Sequence, residues 1–357
     1  MNGLRLGVIG VGSLGYHHAR ILSGRDDIRF AGVFDTSEAR RSEVAAKLDV
    51  VAARSMEALL DEADAIVIAV PTIAHESVAL AAIERGVHVL IEKPIAPTLD
   101  AADRIVAAAD AAGTLVQIGH VERFNAALRA CEPYLEEPLF VESHRLAPFG
   151  PRGTDVAVVL DLMIHDLDLV LSLMKRPVSG LAAVGVPVLT PSIDIANARL
   201  EFEGGGVANL TASRVSIERM RKIRFFQRSG YISLDLAAGK GEFLRLKPGV
   251  ASQLALLMAP QEAGGRGPVG NSPFAGSAAA GGSGPLTAPF GIQDLVERIP
   301  LEGDGGEPLA HELERFIAAV RGEAAVAVSG HDGRRALAVA LEIVKRTQNH
   351  VAPEYTA

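Results

Sequence analysis

The stretch "LRLGVIGVGSLGYHHARILSG" (4–24) constrains the fold of this chain more than any other. A short apolar run enters three glycines, Gly10, Gly12 and Gly15, in G-x-G-x-x-G spacing, and a helical pattern follows at once. In such a turn the first glycine permits the tight bend, the second lets backbone approach a pyrophosphate, and the third lets helix pack on strand. Ser13 and Leu14 open the helix, whose N-terminus offers N–H groups and a positive dipole end to phosphate. A chain with 36 glycines meets this spacing by chance. The strand before it and the helix after it make it the first turn of a parallel βαβ unit.

That unit repeats. "RFAGVFD" (29–35), "AIVIAV" (65–70), "HVLIEK" (88–93) and "LVQIGH" (115–120) are further strand candidates, with helical patterns such as "EARRSEVAAKL" and "ESVALAAIERG" between them. The alternation predicts a doubly wound parallel sheet covered on both faces. From about residue 121 strand-like runs follow one another directly, among them "FVESHRLA", "ANARLEFEGG", "GVANLTASRVS" and "KIRFFQRSGYISLDL". Strands without intervening helices predict a large mixed, mostly antiparallel open sheet. The expected architecture is therefore α/β, with a Rossmann domain over 1–121 and an α+β domain over 122–357. Residues 260–289 are Gly/Ala/Pro/Ser-rich and read as a flexible loop. Helical patterns at 308–321 and 331–348 close the chain, and the last can pack back on the first domain.

Composition agrees with two domains, since 357 residues exceed one ordinary core. A net charge of −8 argues against nucleic acid or an anionic membrane as partner. Cys131 stands alone, which excludes an internal disulfide. No apolar run reaches the ~18 residues a spanning helix needs, and the start enters a strand without signal-peptide features. The expected location is the cytoplasm.

Asp35 closes the second strand, 20 residues after Gly15. A carboxylate there can accept both ribose hydroxyls of NAD and repel the 2′-phosphate of NADP. It would equally serve as N-cap for the helix after "TSEARR" begins. Arg40 and Arg41 follow and leave NADP tolerance open; NAD is the expected cofactor. Glu92-Lys93-Pro94 ends the fourth strand at the edge that faces the ligand crevice of an open α/β sheet. Lys93 there can touch cofactor and a bound alcohol and stabilise charge on the oxygen as hydride leaves. The plain alternative is a surface lysine after a buried strand.

"VAVVLDLMIHDLDLVLSLM" (156–174) raises the second question. At ~100° per residue, Asp161, His165, Asp168 and Ser172 share one stripe about 60° wide, and apolar residues cover the other directions. Asp166 points elsewhere and reads as structural. A surface helix carries a broad charged face, whereas a narrow acid–imidazole stripe suits a cavity wall. Three readings stand. Asp161 could simply satisfy His165 one turn on. Both could ligate a metal, but no third ligand is evident and no metal is expected. With the Glu-Lys-Pro lysine present, general acid–base chemistry is favoured: His165 takes a hydroxyl proton, Asp161 orients the imidazole, and Lys93 holds the substrate oxygen.

The glycine turn, "VPTIAH" (70–75), "GVHVLIEKP" (86–94), "VQIGHVERFN" (116–125) and the Asp161-x-x-x-His165 pair together resemble the Gfo/Idh/MocA family of sugar and cyclitol dehydrogenases. The resemblance covers most of the chain outside 260–289. It implies a Rossmann domain, an α/β domain whose open sheet builds dimer or tetramer contacts, and bound NAD(P) that takes hydride from a ring hydroxyl. Lys93, Asp161 and His165 fall on the family's catalytic positions, and Pro71, Thr72, His75 and Glu92 on its cofactor-lining segments.

Two stretches bear on the substrate. "GHVERFNAAL" places His120, Arg123 and Asn125 at the mouth of the crevice, although Glu122–Arg123 could be a simple salt bridge. "SRVSIERMRKIRFFQRSG" (213–230) gathers Arg214, Arg219, Arg221, Lys222, Arg224 and Arg228 against Glu218. Such a cluster is either a solvated strand face or oligomer contact, or a site for an anionic substrate such as a nucleotide diphosphate. Arg214, Arg219 and Arg221 join His120, Arg123, Asn125, Asp161 and His165 as candidate substrate contacts. Within the family these stretches look most like the branch that oxidises UDP-N-acetylhexosamines, such as UDP-N-acetylglucosamine, at the 3-hydroxyl. The resemblance implies a 3-keto sugar nucleotide passed to an aminotransferase in lipid A precursor synthesis. Ala126 departs from the proline usual after "RFN". A myo-inositol or polyol dehydrogenase, which needs no basic cluster, an NAD-dependent glycosidase, and a non-catalytic NAD-binding regulator are the alternatives.

Overall fold

In the computed structural model, which describes residues 3–150, 156–250, 295–303 and 305–348 with helical backbone continuing to 350, the two expected sheets are both present. β1 (Arg5–Ile9), β2 (Arg29–Phe34), β3 (Ala65–Ile68), β4 (His88–Glu92) and β5 (Val116–Gly119) form one sheet in the order β2–β1–β3–β4–β5. Every pair in it is parallel. Strands such as "AIVI" are apolar throughout because helices cover both faces. α1 (Ser13–Ser23) and α2 (Glu38–Leu48) pack with Leu6, Val8 and Val67 on one side. α3 (Met56–Glu62), α4 (His75–Ile83) and α5 (Leu99–Ala112) pack with Ile66, Ile68 and Ile91 on the other. The strand order reverses between β1 and β3, so a crevice opens at their C-terminal ends.

After α6 (Ala126–Cys131) come β6 (Phe140–Leu146), β7 (Val178–Val186), β8 (Ile195–Phe202), β9 (Val207–Ser213), β10 (Met220–Gln227), β11 (Gly230–Asp235), β12 (Lys240–Leu246) and β13 (Val296–Glu302). They form an eight-stranded sheet ordered β13–β12–β11–β10–β6–β9–β8–β7. Its neighbours are antiparallel except β6 and β9, which run parallel. β13 is absent from the sequence-based expectation. Its Pro300 argues against a strand, but this is an edge strand, where a missing N–H is tolerated. Alternate residues such as Val141, Ile223 and Phe225 are buried under α7 (Ile164–Met174) and the π-helical turn Val159–Met163 that precedes it.

The last helices tie the sheets together. α8 (Pro308–Val320) sends Leu313, Phe316 and Ile317 into the core beside α1. α9 (Gly330–His350) places Leu337 in the core beside α5, and Ala336, Ala340 and Ile343 in the core of the eight-stranded sheet. The expected flexible loop at 260–289 lies outside the described residues. Among those described, no helix is long and apolar enough to cross a membrane.

Candidate active site

The glycine turn has the shape its sequence implies. Gly10 adopts φ +85°, and a Cβ there would meet the Ala69 backbone at 2.7 Å. A Cβ on Gly15 would lie 1.9 Å from the Gly10 carbonyl oxygen. At Gly12 a Cβ would meet nothing within 4 Å, so this glycine borders open space instead of packed backbone. Gly12, Ser13 and Leu14 are exposed, and no side chain caps the N-terminus of α1. Beside it lies a cavity of about 630 Å³ walled by Gly10, Gly12, Phe34, Asp35, Pro71 and Ile73. Backbone open to phosphate at one end and a carboxylate between apolar walls at the other fit an adenine dinucleotide.

Asp35 Oδ2 accepts the Val11 N–H and Oδ1 the Ser37 N–H, each at 2.9 Å. The cap of α2 is Ser37, whose hydroxyl accepts the Arg40 N–H, so the capping role considered for Asp35 belongs to its neighbour. Arg40 folds back onto the Val11 and Gly12 carbonyls, at 2.8 and 3.3 Å, and Arg41 onto the Asp35 carbonyl at 2.9 Å. Thr72 opens a short 3₁₀ turn, Thr72–Ala74, beside the same cavity wall. His75 is different. It is buried, with Nδ1 3.0 Å from the Pro94 carbonyl oxygen and Nε2 3.0 Å from that of Val70. Burial pushes its pKa down. The imidazole thus ties the turn after β3 to the turn after β4, where a cofactor contact was expected.

The second half of the site forms where that turn meets the π turn. Lys93 Nζ donates to the Asp161 backbone carbonyl at 2.6 Å and lies 3.8 Å from Asp161 Oδ1. Burial pulls the Lys93 pKa down, and the charges of Asp161 and Glu92 partly restore it. A wheel at ~100° per residue assumes an α-helix from 161 onward, but the first turn is π-helical and changes the direction of its side chains. The expected Asp161–His165 pair is accordingly replaced by Asp161–Lys93, and His165 Nδ1 is buried without a hydrogen-bond partner. The His165 ring stands edge-on to that of His120, with centroids 6.3 Å apart. Burial first, then the positive charges of Lys93, Arg145, His120 and Arg221, hold the His165 pKa well below the ordinary histidine value. His120 is itself buried with both ring nitrogens unpartnered, and burial lowers its pKa too.

The other predicted residues separate by partner. Asp168 receives two hydrogen bonds from Arg123, both at 2.7 Å, and so supports Arg123 instead of His165. Asn125 is a correction: Oδ1 caps α6 through the Ala127 N–H at 3.1 Å, and its amide donates to Glu122 and to the Leu236 carbonyl. Both amide N–H groups are thus committed within the protein, and the side chain is buried. Glu122 pairs with Arg145 at 2.8 Å, not with Arg123.

The basic cluster is divided by the two-residue period of a strand. Arg221 lies opposite Arg145 on the helix-covered face and reaches Glu122 at 3.5 Å. Lys222 and Arg224 alternate to the outer face, where Arg224 pairs with Glu142 at 2.8 Å. Arg219 is exposed ahead of β10, and Arg228 is exposed after it. Arg214 is a second correction. It is buried, donates to the Val156 and Ile193 carbonyls, and lies 3.5 Å from Asp194, so it holds loops together inside the domain.

Sequence reasoning missed Arg145, whose guanidinium is buried between Asp166 at 2.7 Å and Glu122 at 2.8 Å. The signal was present: in "FVESHRL" the two-residue period puts Arg145 on the inward face with Val141 and Ser143. It also missed His18, which lies 2.6 Å from Glu92.

Comparisons with known proteins agree with this fold. The model of the Gfo/Idh/MocA oxidoreductase family, NAD-binding Rossmann fold, matches residues 4–120, and that of the Gfo/Idh/MocA C-terminal domain matches 117–233. The chain is 36% identical over 345 residues to a UDP-N-acetylglucosamine 3-dehydrogenase of Acidithiobacillus ferrooxidans, covering 95% of this chain and 96% of the other. The solved structure of UDP-N-acetylglucosamine 3-dehydrogenase GnnA from that organism aligns with a TM-score of 0.80 at 33% identity, over 98% of this chain and 99% of that one. Inositol 2-dehydrogenase 4 of Saccharopolyspora erythraea is 34% identical over 176 residues, 46% of this chain and 52% of its own. An NAD-binding protein from Listeria innocua, with a TM-score of 0.76 at 18% identity, shares the fold.

Proposed function

The chain belongs to the Gfo/Idh/MocA family of NAD-binding oxidoreductases, and from that premise we propose that it oxidises the 3-hydroxyl of UDP-N-acetylglucosamine to the 3-keto sugar nucleotide. The observation that carries the chemistry is a largely buried ammonium, Lys93, docked on the Asp161 carbonyl at 2.6 Å beside a histidine kept neutral by its surroundings. NAD, when bound, supplies the hydride acceptor.

The chain's own groups do the rest. The open backbone at Gly12, Ser13 and Leu14 receives the pyrophosphate, and the Asp35 carboxylate receives the ribose hydroxyls and disfavours a 2′-phosphate. Lys93 donates a hydrogen bond to the reacting oxygen and steadies the negative charge that develops there. Neutral His165 takes the hydroxyl proton as the ketone forms. Asp161 keeps Lys93 charged against the cost of burial. Arg221, Arg219 and Arg123, with His120, receive the diphosphate and the sugar.

The near full-length similarity to a UDP-N-acetylglucosamine 3-dehydrogenase favours this substrate over a polyol, for which the similarity spans about half the chain. A 3-keto sugar nucleotide suits an aminotransferase that installs a 3-amino group on the way to lipid A precursors. The outward face of the eight-stranded sheet suits self-association into a dimer or tetramer, and the whole suits the cytoplasm.

The test is NADH absorbance with purified protein, NAD and a panel of UDP-sugars and polyols, repeated with an aminotransferase and amino donor to draw off product. NADH with UDP-N-acetylglucosamine is the expected result. None with any UDP-N-acetylhexosamine would overturn the proposal, NADH with inositol would replace it by the polyol reading, and cleavage without net NADH by the glycosidase.

A further inference from the structure

Behind Lys93 three buried ionisable side chains from three elements meet: His18 of α1, Glu92 at the end of β4 and Glu312 of α8. One nitrogen or carboxylate oxygen from each lies within 4.8 Å of the other two. His18 Nε2 is 2.6 Å from Glu92 Oε1, and the Lys93 N–H donates to Glu92 Oε2 at 3.3 Å. Glu312 has 0% exposure, and neither of its carboxyl oxygens has a hydrogen-bond partner. Gln117, on β5, donates to the Glu312 backbone carbonyl at 3.3 Å, which leaves the carboxyl itself uncompensated.

The charges do not close as they stand. A proton on His18 balances Glu92 and nothing more, and Asp168, the acid that faces Glu312 from α7, already takes up the charge of Arg123 through two hydrogen bonds at 2.7 Å. A bare carboxylate in such a place costs far more than a fold can carry, so one further positive charge must be present. It is either a proton or a cation. A cation would have to enter a closed interior and would find one ligand atom from each of three side chains there, short of the four a structural site usually supplies. A proton needs no such ligand set.

We propose that Glu312 is held as a neutral carboxylic acid directed at Glu92, and that the His18–Glu92–Glu312 cluster positions Lys93. Glu92 is held from α1 by His18 and by the Lys93 N–H of its own turn, and Glu312 closes the α8 side within 4.8 Å of both side chains. The cluster thereby sets where the strand end delivers the lysine. Burial, with Glu92 and Asp168 as negative neighbours, raises the Glu312 pKa well above the usual glutamate value, in the same sense. Glu312 is a positioning residue, and its role rests on the proposed role of Lys93 at the reacting oxygen.

The direct test is an infrared difference spectrum, wild type minus Glu312→Gln, at about pH 8, far above the ordinary glutamate range. The expected result is the C=O stretch of a protonated carboxylic acid that vanishes in the variant. Kinetics test the positioning. Glu312→Gln, an uncharged near-isostere, should keep kcat, KM and the pH profile close to wild type. Glu312→Ala should lower kcat on the order of ten- to a hundredfold, since a small misplacement of a reacting group has that effect. NAD affinity should be nearly unchanged in both.

Absence of the acid band overturns the proposal. So does a Gln variant as impaired as the Ala variant, and stoichiometric zinc or manganese in purified protein, lost from the Gln variant, would assign the cluster to a metal. A wild type that makes no NADH removes the positioning role with the function it serves, whereas the infrared band decides the protonation of Glu312 independently.

Discussion

Asp161→Asn distinguishes the geometry in the structure from the one the sequence suggested. The substitution removes a charge, changes almost no volume, and leaves in place the backbone carbonyl that holds Lys93 at 2.6 Å. At 3.8 Å two unit charges attract by about 4 kcal/mol at an effective dielectric of about 20, and by about 1 kcal/mol in bulk water. With side-chain exposures of 17% for Lys93 and 32% for Asp161, solvent screens part of this. An intermediate value of about 2 kcal/mol corresponds to ~30-fold in the balance between ammonium and amine. Burial already lowers the Lys93 pKa and Asp161 restores it, so the variant lowers it further. In the proposed mechanism activity requires the ammonium and is lost as pH rises through the Lys93 value. The alkaline limb of kcat/KM should therefore move to lower pH. The acid limb reports protonation of His165, which Asp161 does not contact, and should stay in place. Initial rates of NADH formation across pH, with thermal melting to confirm the fold, measure both limbs. If the alkaline limb stays and the acid limb moves, Asp161 serves His165 and the reasoning from the π turn is wrong.

Three further outcomes follow from the same structure. Asp35→Ala should reduce the preference for NAD over NADP at least about tenfold in direct binding titrations, because charge-assisted hydrogen bonds of about 1.5–3 kcal/mol are lost; an unchanged ratio would remove Asp35 from cofactor choice. Arg221→Gln should raise KM for the UDP-sugar about tenfold or more, whereas Arg224→Gln, on the opposite sheet face with Glu142, should leave it unchanged; equal effects would contradict the division of the cluster. Arg145→Met should destabilise the fold by about 3–5 kcal/mol in urea unfolding, since Asp166 is left as a buried unpaired charge and Glu122 keeps only the Asn125 amide and Arg221 at 3.5 Å; a loss under about 1 kcal/mol would show that the triad does not hold the domain.

What could be read from sequence depended on whether one periodicity governed a segment. The parallel sheet was legible because its strands are apolar on both faces and its first turn needs glycine at three positions. β13 was not, because Pro300 is a strand breaker everywhere except at an edge, and edge position is a property of the assembled sheet. The arginines of 213–230 looked like one patch in a linear reading. A strand sends successive side chains to opposite faces, so Arg221 and Arg224 end with different partners. Asn125 has the composition of a ligand contact, but it also follows the capping pattern, and the helix end took it. His75 and Arg214 were drawn inward by backbone carbonyls that only the folded chain brings near them.

The stripe on 161–172 gains a different logic once its partners are known. One turn before His165, Asp161 faces Lys93 from the end of β4, and nearly one turn after it, Asp168 faces Arg123 from the turn after β5. Both acids that flank the histidine are thus committed to cations from the other sheet. They fasten α7 to the crevice without lending their charge to the imidazole. His165 is left buried among Lys93, Arg145 and Arg221; burial first, and then these charges, keep it neutral and therefore able to accept a proton. A carboxylate turned to His165 would instead favour the imidazolium and raise the histidine's pKa. In the proposed mechanism the turn that directs Asp161 toward Lys93 therefore serves the chemistry, in keeping with the frequent occurrence of π turns at functional sites.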